Sequence, residues 1–589
     1  MNPSSRRSNF EPGLYILAFA LALGLRFVQL GAPLLSDAEA AWAMQALDVT
    51  RGLRPALGPQ PGYVMLTSAL FYLMDSTNFL ARFWPALFGG LLTLAPLAFR
   101  ERIGRTPALV LAFGLALDPG LVSLSRQAGS LIPALGAAAL AWAAWERRKP
   151  SLAGFFAGLA LLGGPSLWLG LLIFGLAYAL AQGLLPAVET GAGPNVPARS
   201  VREELKLAGA YALGTLLVAG TLFFLSPNGI SAALASLPAF LNGWGRPSGV
   251  PATRLLLALA VYQPLPVLFA VAALLRAAWM RRQIKNLPED APSYAPEAIR
   301  KKSAPAFRLG LWALVALLLA LFYPAHEIGD LAWALVPLWA LAALEISHHL
   351  NLPDEDRQET FGALALTVAL LAFAWLDFAS LNFVGYQSTD WTTRIYLLIG
   401  ALALLVLSLF LVALGWSSEI ALRGGVWGVL AVLVFYSLSA AWGGTGLRTP
   451  DGVELWLSEA QPGQLELIAR TVDDASDWST GVASHLPVLI VGVDSPALEW
   501  ALRRHPVGKA ASLDLLSTPE VVISPEMNEL SLPAAYRGQD FYLRHSPVWS
   551  QLPAFDWIRW LTSRDFPRQS DVVVLWVRDD LFIDATAQP

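Results

Sequence analysis

The sequence predicts a polytopic α-helical membrane protein of about thirteen spans with a small C-terminal α/β domain. Three observations predict it. The 589 residues are 55% hydrophobic and only 14% charged, with a mean hydropathy of +0.52, whereas soluble chains run near 45–50% apolar and about 25% charged. The apolar residues gather into stretches close to the ~20 needed to cross a bilayer. The charge balance also changes sign along the chain: residues 1–444 carry 29 Lys+Arg against 24 Asp+Glu, and residues 445–589 carry 11 against 20.

The stretches fall near 13–30, 79–99, 107–124, 131–145, 151–167, 169–186, 207–225, 252–275, 309–323, 331–347, 361–380, 395–416 and 424–443. The first is long and lacks a small-residue cleavage site, so it reads as a retained helix rather than a signal peptide. The segment 63–74, YVMLTSALFYLM, is too short to cross and suits an interfacial helix. Charge placement supports that reading. With the N-terminus inside, the inner loops hold about 21 basic residues, from Arg6 and Arg7 to Arg423, against about six in the outer loops, as the positive-inside rule requires. The expected location is therefore a multi-pass cell membrane protein with a cytoplasmic N-terminus. An odd span count puts residues 445–589 on the outer face, beside the loop 32–78 with its interfacial helices.

That terminal segment reads as an extracytoplasmic α/β domain. Strands are expected at 486–493, 521–523 and 572–577, and helices at 495–504 and 555–562. Ser495 and Pro496 supply an N-cap and a first-turn proline. No Gly-rich phosphate loop or zinc-ligand spacing occurs in it. Its acidity argues against nucleic acid, which needs a basic face. The absence of cysteine removes disulfides, thiolate metal sites and cysteine nucleophiles.

The chemistry-bearing segment is LLSDAEAAWA, Leu34 to Ala43, directly after the first span. Ser36 and Glu39 have the spacing of a capping box, and Asp37 suits the positive end of the helix they start. A step of ~100° per residue turns Asp37 and Glu39 about 200° apart, so they are no carboxylate pair. The alternative to capping is a single general base at the membrane surface, Asp37 or Glu39. A leaving phosphate there needs a cation. Arg126, in SLSRQAGS, is the first candidate, followed by Arg246, Arg254 and Arg394. Each also has the ordinary reading of an interfacial arginine reaching headgroups. His326, Glu327 and Asp330 crowd one short outer loop, as a solvated turn or as ligands for a metal or phosphate. Asp377 and Asp390 flank the 381–394 loop and read as solvated, and His348 and His349 are assigned no role.

The motif after span one, the loop ending Pro61-Gly62-Tyr63, the surface helix and FLARFWPALFGGLLTLAPLAFR together resemble the GT-C glycosyltransferases. The closest branch is family 39-like, which contains protein O-mannosyltransferases and the lipid A aminoarabinose transferase. Ser123 to Trp145 and GDLAWALVPLWALAALE (329–345) resemble the same branch. The likeness covers residues 10–180 well, is patchy to 444 and is weak beyond. It implies an inverting hexosyl- or pentosyltransferase that takes sugar from a polyprenyl-phosphate donor to a lipid, glycan or protein acceptor at the outer face. The sequence itself requires no cofactor, and a divalent metal is left open. Asp37 or Glu39 would be its base, the first aspartate position being the usual one, and Arg126 would hold the donor phosphate. The sequence departs from the pattern in three places. The motif reads Asp-Ala-Glu instead of adjacent acids, RQAGSLIP at 126–133 lacks the second acid of many relatives, and His326-Glu327 replace a basic residue often seen just before the Gly329 region. A catalytically degenerate relative that binds polyprenyl lipids and assists assembly or flipping is the first alternative. A transporter is the weaker one, since no repeat is evident and few charges lie inside spans.

Overall fold

The computed structural model describes residues 10–184, 198–286, 295–350, 357–447, 453–457, 460–514, 516–527, 532–549 and 553–582. Arg6 and Arg7 lie outside the described residues. Every predicted stretch is helical. The chain runs through α1 (Glu11–Phe27), α2 (Asp37–Thr50), α3 (Pro61–Met74), α4 (Asn78–Leu92), α5 (Pro96–Ile103), α6 (Arg105–Leu117) and α7 (Pro119–Ser125). There follow α8 (Leu131–Glu146), α9 (Pro150–Leu161), α10 (Pro165–Leu184), α11 (Ala198–Gly220), α12 (Asn228–Asn242) and α13 (Ala252–Tyr262). The last six of the bundle are α14 (Pro264–Gln283), α15 (Ala295–Phe322), α16 (Ala332–His349), α17 (Arg357–Ser380), α18 (Thr389–Gly415) and α19 (Ser418–Gly444).

Among the described residues eight helices are long and apolar enough to cross a bilayer, and nine if the bent pair α6–α7 counts as one span. This is a multi-pass membrane protein. The other four predicted spans are the 17-residue α1, the 23-residue α11 with its charged first half, and the short α8 and α9. Several expected spans are interrupted, and prolines explain the breaks at 118–119 and 263–264. Pro119 starts α7 after a 53° bend, and Asp118 caps it by accepting the Leu121 N–H at 2.7 Å. Pro264 starts α14 directly after Gln263, because proline offers no N–H to continue the preceding helix. The surface segment 63–74 is the 14-residue α3, and its buried face includes Tyr63, Met65 and Phe71.

The terminal domain is a six-stranded mixed sheet. Its elements are β1 (Gln461–Pro462), α20 (Leu465–Thr480), β2 (Val488–Val491), α21 (Pro496–Ala501), β3 (Val507–Ala510), β4 (Val521–Pro525), β5 (Tyr536–Pro547), α22 (Ala554–Ser563) and β6 (Arg568–Arg578). The strand order is β1-β5-β6-β4-β2-β3, with β2 parallel to β3 and β4 and the remaining pairs antiparallel. The expected strands and helices all occur. Sequence reading did not foresee β1, α20, β3 or β5. The longest strand, β5, reads YRGQDFYLRHSP and buries only Phe541 and Leu543 deeply, so no apolar run announces it.

Two apolar cores join the domain to the helices. One holds Ala40, Leu47, Tyr63 and Met65 from α2 and α3 together with Ile468, Val488, Val521 and Val573 of the domain. The other places Trp456, Trp560 and Phe566 among bundle residues such as Leu335 and Tyr262. Burying side chains of this size stabilises the junction by about 1.5–3 kcal/mol each. The domain is thus built onto the bundle, with α21 packed against α2.

Candidate active site

The capping box forms as its spacing predicts. Ser36 is extended (φ −67°, ψ 164°), the Glu39 N–H donates to Ser36 Oγ at 3.4 Å, and the Ser36 N–H donates to Glu39 Oε2 at 3.0 Å. Glu39 then turns into the bundle. Arg82 of α4 donates to both its oxygens, Nε to Oε1 at 2.7 Å and Nη2 to Oε2 at 2.8 Å, and the Ala128 N–H reaches Oε1 at 2.8 Å. Burial alone would raise this carboxyl's pKa. The charge and hydrogen bonds of Arg82, with the Ser36 and Ala128 amides, outweigh burial and hold it below the usual carboxylate value. Arg82 spends its remaining donors on the Leu30, Pro33 and Leu34 carbonyls. Glu39 is 7% exposed and fully engaged, tying α2, α4 and the approach to α8 together.

Asp37 turns the other way, as the helical step requires. Its Oδ1 accepts from Ser495 Oγ at 2.6 Å and from the Ala497 N–H at 3.0 Å, at the start of α21. Its Oδ2 faces Arg544 Nη1 of β5 at 3.3 Å. The side chain keeps 27% of its surface exposed. Arg544 is itself held by Asp571, at 2.6 Å from Nε, and that hydrogen bond, against the opposing effect of burial, raises its pKa further. The acid of the bundle and the cation of the domain therefore meet at the seam between them.

Arg126 lies just beyond α7, close to this seam, and is bound to carbonyls. Nη1 donates to Leu25, Arg26 and Val28, and Nη2 to Gln29 and Thr445, at 2.9–3.4 Å. These are the orphan carbonyls at the ends of α1 and α19, which need donors when buried. Desolvation, with the charge of Arg82 adding to it, pulls the Arg126 pKa down to about 10. Arg254 donates to the Leu455 and Leu457 carbonyls. Arg246 is exposed on the loop after α12. Arg394 pairs with buried Asp377 at 3.0 Å, and Asp390 is exposed. Among the described residues no hydrogen bond or ion pair joins Arg126, Arg246 or Arg394 to Asp37.

His326, Glu327 and Asp330 form a turn. The ring nitrogens of His326 lie 2.7 and 2.9 Å from the Tyr323 and Val250 carbonyls, and Asp330 Oδ2 accepts the Glu327 N–H at 2.9 Å. Burial pushes the Glu327 carboxyl above its usual range. The lone pairs of the three do not converge, and among the described residues no group of three His, Cys, Asp or Glu is placed to hold a metal. His349 packs on Glu345, which also pairs with Arg276 at 2.7 Å.

Several site residues were missed in the sequence. Arg82 had a signal, a lone cation in an otherwise apolar helix. Arg26 and Asp118 are likewise charged residues in apolar stretches, both completely buried: Arg26 Nε donates to Ser125 at 3.2 Å, and Asp118, between α6 and α7, accepts from Trp339 at 2.7 Å. Ser495 and Arg544 had none, since more than 450 residues separate each from Asp37.

Fold and site define a membrane helix bundle with an α/β domain fused over one end. No family model and no curated protein matches the chain. Solved structures similar to it include ArnT from Cupriavidus metallidurans bound to undecaprenyl phosphate, with 14% identity, a TM-score of 0.49, and 98% of this chain and 99% of that one covered. Another is the Archaeoglobus fulgidus oligosaccharyltransferase in its apo form, with 14% identity, a TM-score of 0.42, and 84% and 64% covered.

Proposed function

We infer that the chain is an integral membrane glycosyltransferase of the GT-C type. In this reading a polyprenyl-phosphate sugar is the donor, and a lipid, glycan or protein is the acceptor at the outer face, with the N-terminus cytoplasmic. Asp37 is the base. It removes the proton from the acceptor hydroxyl or amine as that group attacks the anomeric carbon. The bond to the phosphate then breaks with inversion, and polyprenyl phosphate leaves. The observation that carries the assignment is the division of labour in the motif: Glu39 has every oxygen committed to Arg82 and backbone amides, whereas Asp37 stays partly exposed. A carboxylate has about four acceptor sites, and the three donors on Asp37 leave one open. Arg126 has its guanidinium on carbonyls, so Arg544 and the exposed Arg246 are the better cations for the phosphate.

A catalytically degenerate lipid binder is the second reading, favoured by the three domain-borne donors already seated on Asp37. The discriminating experiment incubates the purified chain with labelled polyprenyl-phosphate sugars. Transfer by the wild type that is lost in Asp37→Asn supports the enzyme. Full transfer by Asp37→Asn would overturn the base assignment. Polyprenyl phosphate binding without turnover of any donor supports the second reading.

A further inference from the structure

A second site lies at the opposite end of the bundle. Between α4–α6, α8, α10, α15 and α16 is a cavity of about 1770 Å³, well above the roughly 300–1,000 Å³ of small-molecule pockets. Its shaft is apolar, walled by Leu92, Leu111, Leu135, Trp333 and Val336. Its mouth carries Arg102, Arg148, Lys301 and Arg308, with the Glu204 carboxylate among them. Two of these cations are paired, Arg102 with Glu146 at 2.6 Å and Arg148 with Glu204 at 3.0 Å. Lys301 and Arg308 are exposed and have no ion-pair partner among the described residues. Chain direction sets the mouth far from the acids. Ala128, bonded to Glu39, precedes α8, and Arg148 follows it, so about 24 Å of helix lies between them at 1.5 Å per residue. To the side, Leu171 and Phe174 of α10 stand 47% and 43% exposed, giving the cavity an apolar edge.

We propose that this cavity is a binding site for an anionic bilayer phospholipid, its acyl chains in the shaft and its headgroup phosphate on Lys301 and Arg308. A soluble anion would leave the shaft's apolar surface in water, and a zwitterionic or neutral lipid would leave the two free cations uncompensated. The basic end is also where anionic headgroups concentrate under the expected orientation. The cavity lining shares no residue with the Asp37 seam, so lipid binding here is tested separately from the proposed sugar transfer.

The full chain is reconstituted into vesicles of equal phosphatidylglycerol and phosphatidylcholine, extracted in mild detergent, and its retained lipids are quantified by mass spectrometry. Phosphatidylglycerol is enriched on the wild type. The double variant Lys301→Ala/Arg308→Ala loses that enrichment by roughly tenfold or more, given about 1 kcal/mol per Lys or Arg at an anionic surface, with an unchanged melting temperature. Ala139→Trp, placed in the shaft, lowers retention with the cations intact. Equal retention of the two lipids by the wild type overturns the proposal. So does enrichment that survives in the double variant, or displacement of phosphatidylglycerol by a small fraction of added polyprenyl phosphate.

Discussion

The two ends of the bundle solve the charge problem in opposite ways. At the Asp37 end the terminal domain closes over the helices, and the charged groups there are spent on one another or on backbone. Glu39 and Arg82 form a buried bidentate pair, Arg126 satisfies the ends of two helices, and Asp37 holds the start of α21. At the other end Lys301 and Arg308, which line the cavity, are exposed and have no ion-pair partner among the described residues. Charge at a covered end must be satisfied internally, because an unpaired buried ion costs several kcal/mol. Charge at an open end is free to meet a ligand.

The largest expected effect tests the sealed end. Either Glu39→Gln or Arg82→Ala leaves a buried charge without its partner and should cost about 3–5 kcal/mol, seen as a lower Tm or lost folded yield in detergent. The double variant Glu39→Leu/Arg82→Met should be milder than the worse single, because no charge is stranded. If the singles melt like the wild type, the seal is not structural.

Asp37→Asn sharpens the contrast within the motif itself. It should lower sugar transfer by about 10²–10⁴-fold, the range for a lost general base. Its stability should fall by only about 0.3–1 kcal/mol through the helix N-terminus it serves. Kinetics and a melting curve on one preparation check both halves.

The pH dependence follows from the depressed Glu39 pKa. Its stabilisation is fully present above the unfolded value of about 4.3 and is lost as pH falls through the lower folded value. The Tm difference between wild type and Glu39→Gln should therefore hold from neutral pH to about 4.3 and shrink below it. A difference that grows on acidification would refute the sign. The smallest effect belongs to the open end, where Lys301→Ala or Arg308→Ala should change stability by no more than about 0.5 kcal/mol, read from the same melts.

Much of this was legible residue by residue. Apolar stretches gave the helices, because a bilayer imposes a length on them. The S-D-A-E spacing gave the cap and the divergence of its two acids, because both are local consequences of helix geometry. Strands β2 and β4 and helix α22 announced themselves by composition, whereas β5, polar along most of its length, did not. The partners of the acids were out of reach. Arg82 was visible only as an anomaly in α4, and Ser495 and Arg544 not at all.

By itself, then, the sequence determined that this chain lives in a membrane, where its helices lie, and that Asp37 and Glu39 open one of them facing opposite ways. Only the tertiary structure decided which acid is structural and which stays at the surface. It also decided that Arg126 donates to the carbonyls at the ends of two helices, and that four separated cations share one cavity mouth. The physical reason is range. Periodicity, capping and hydropathy act over one or two helical turns, while a buried charge is defined by whatever the fold brings within about 3 Å of it.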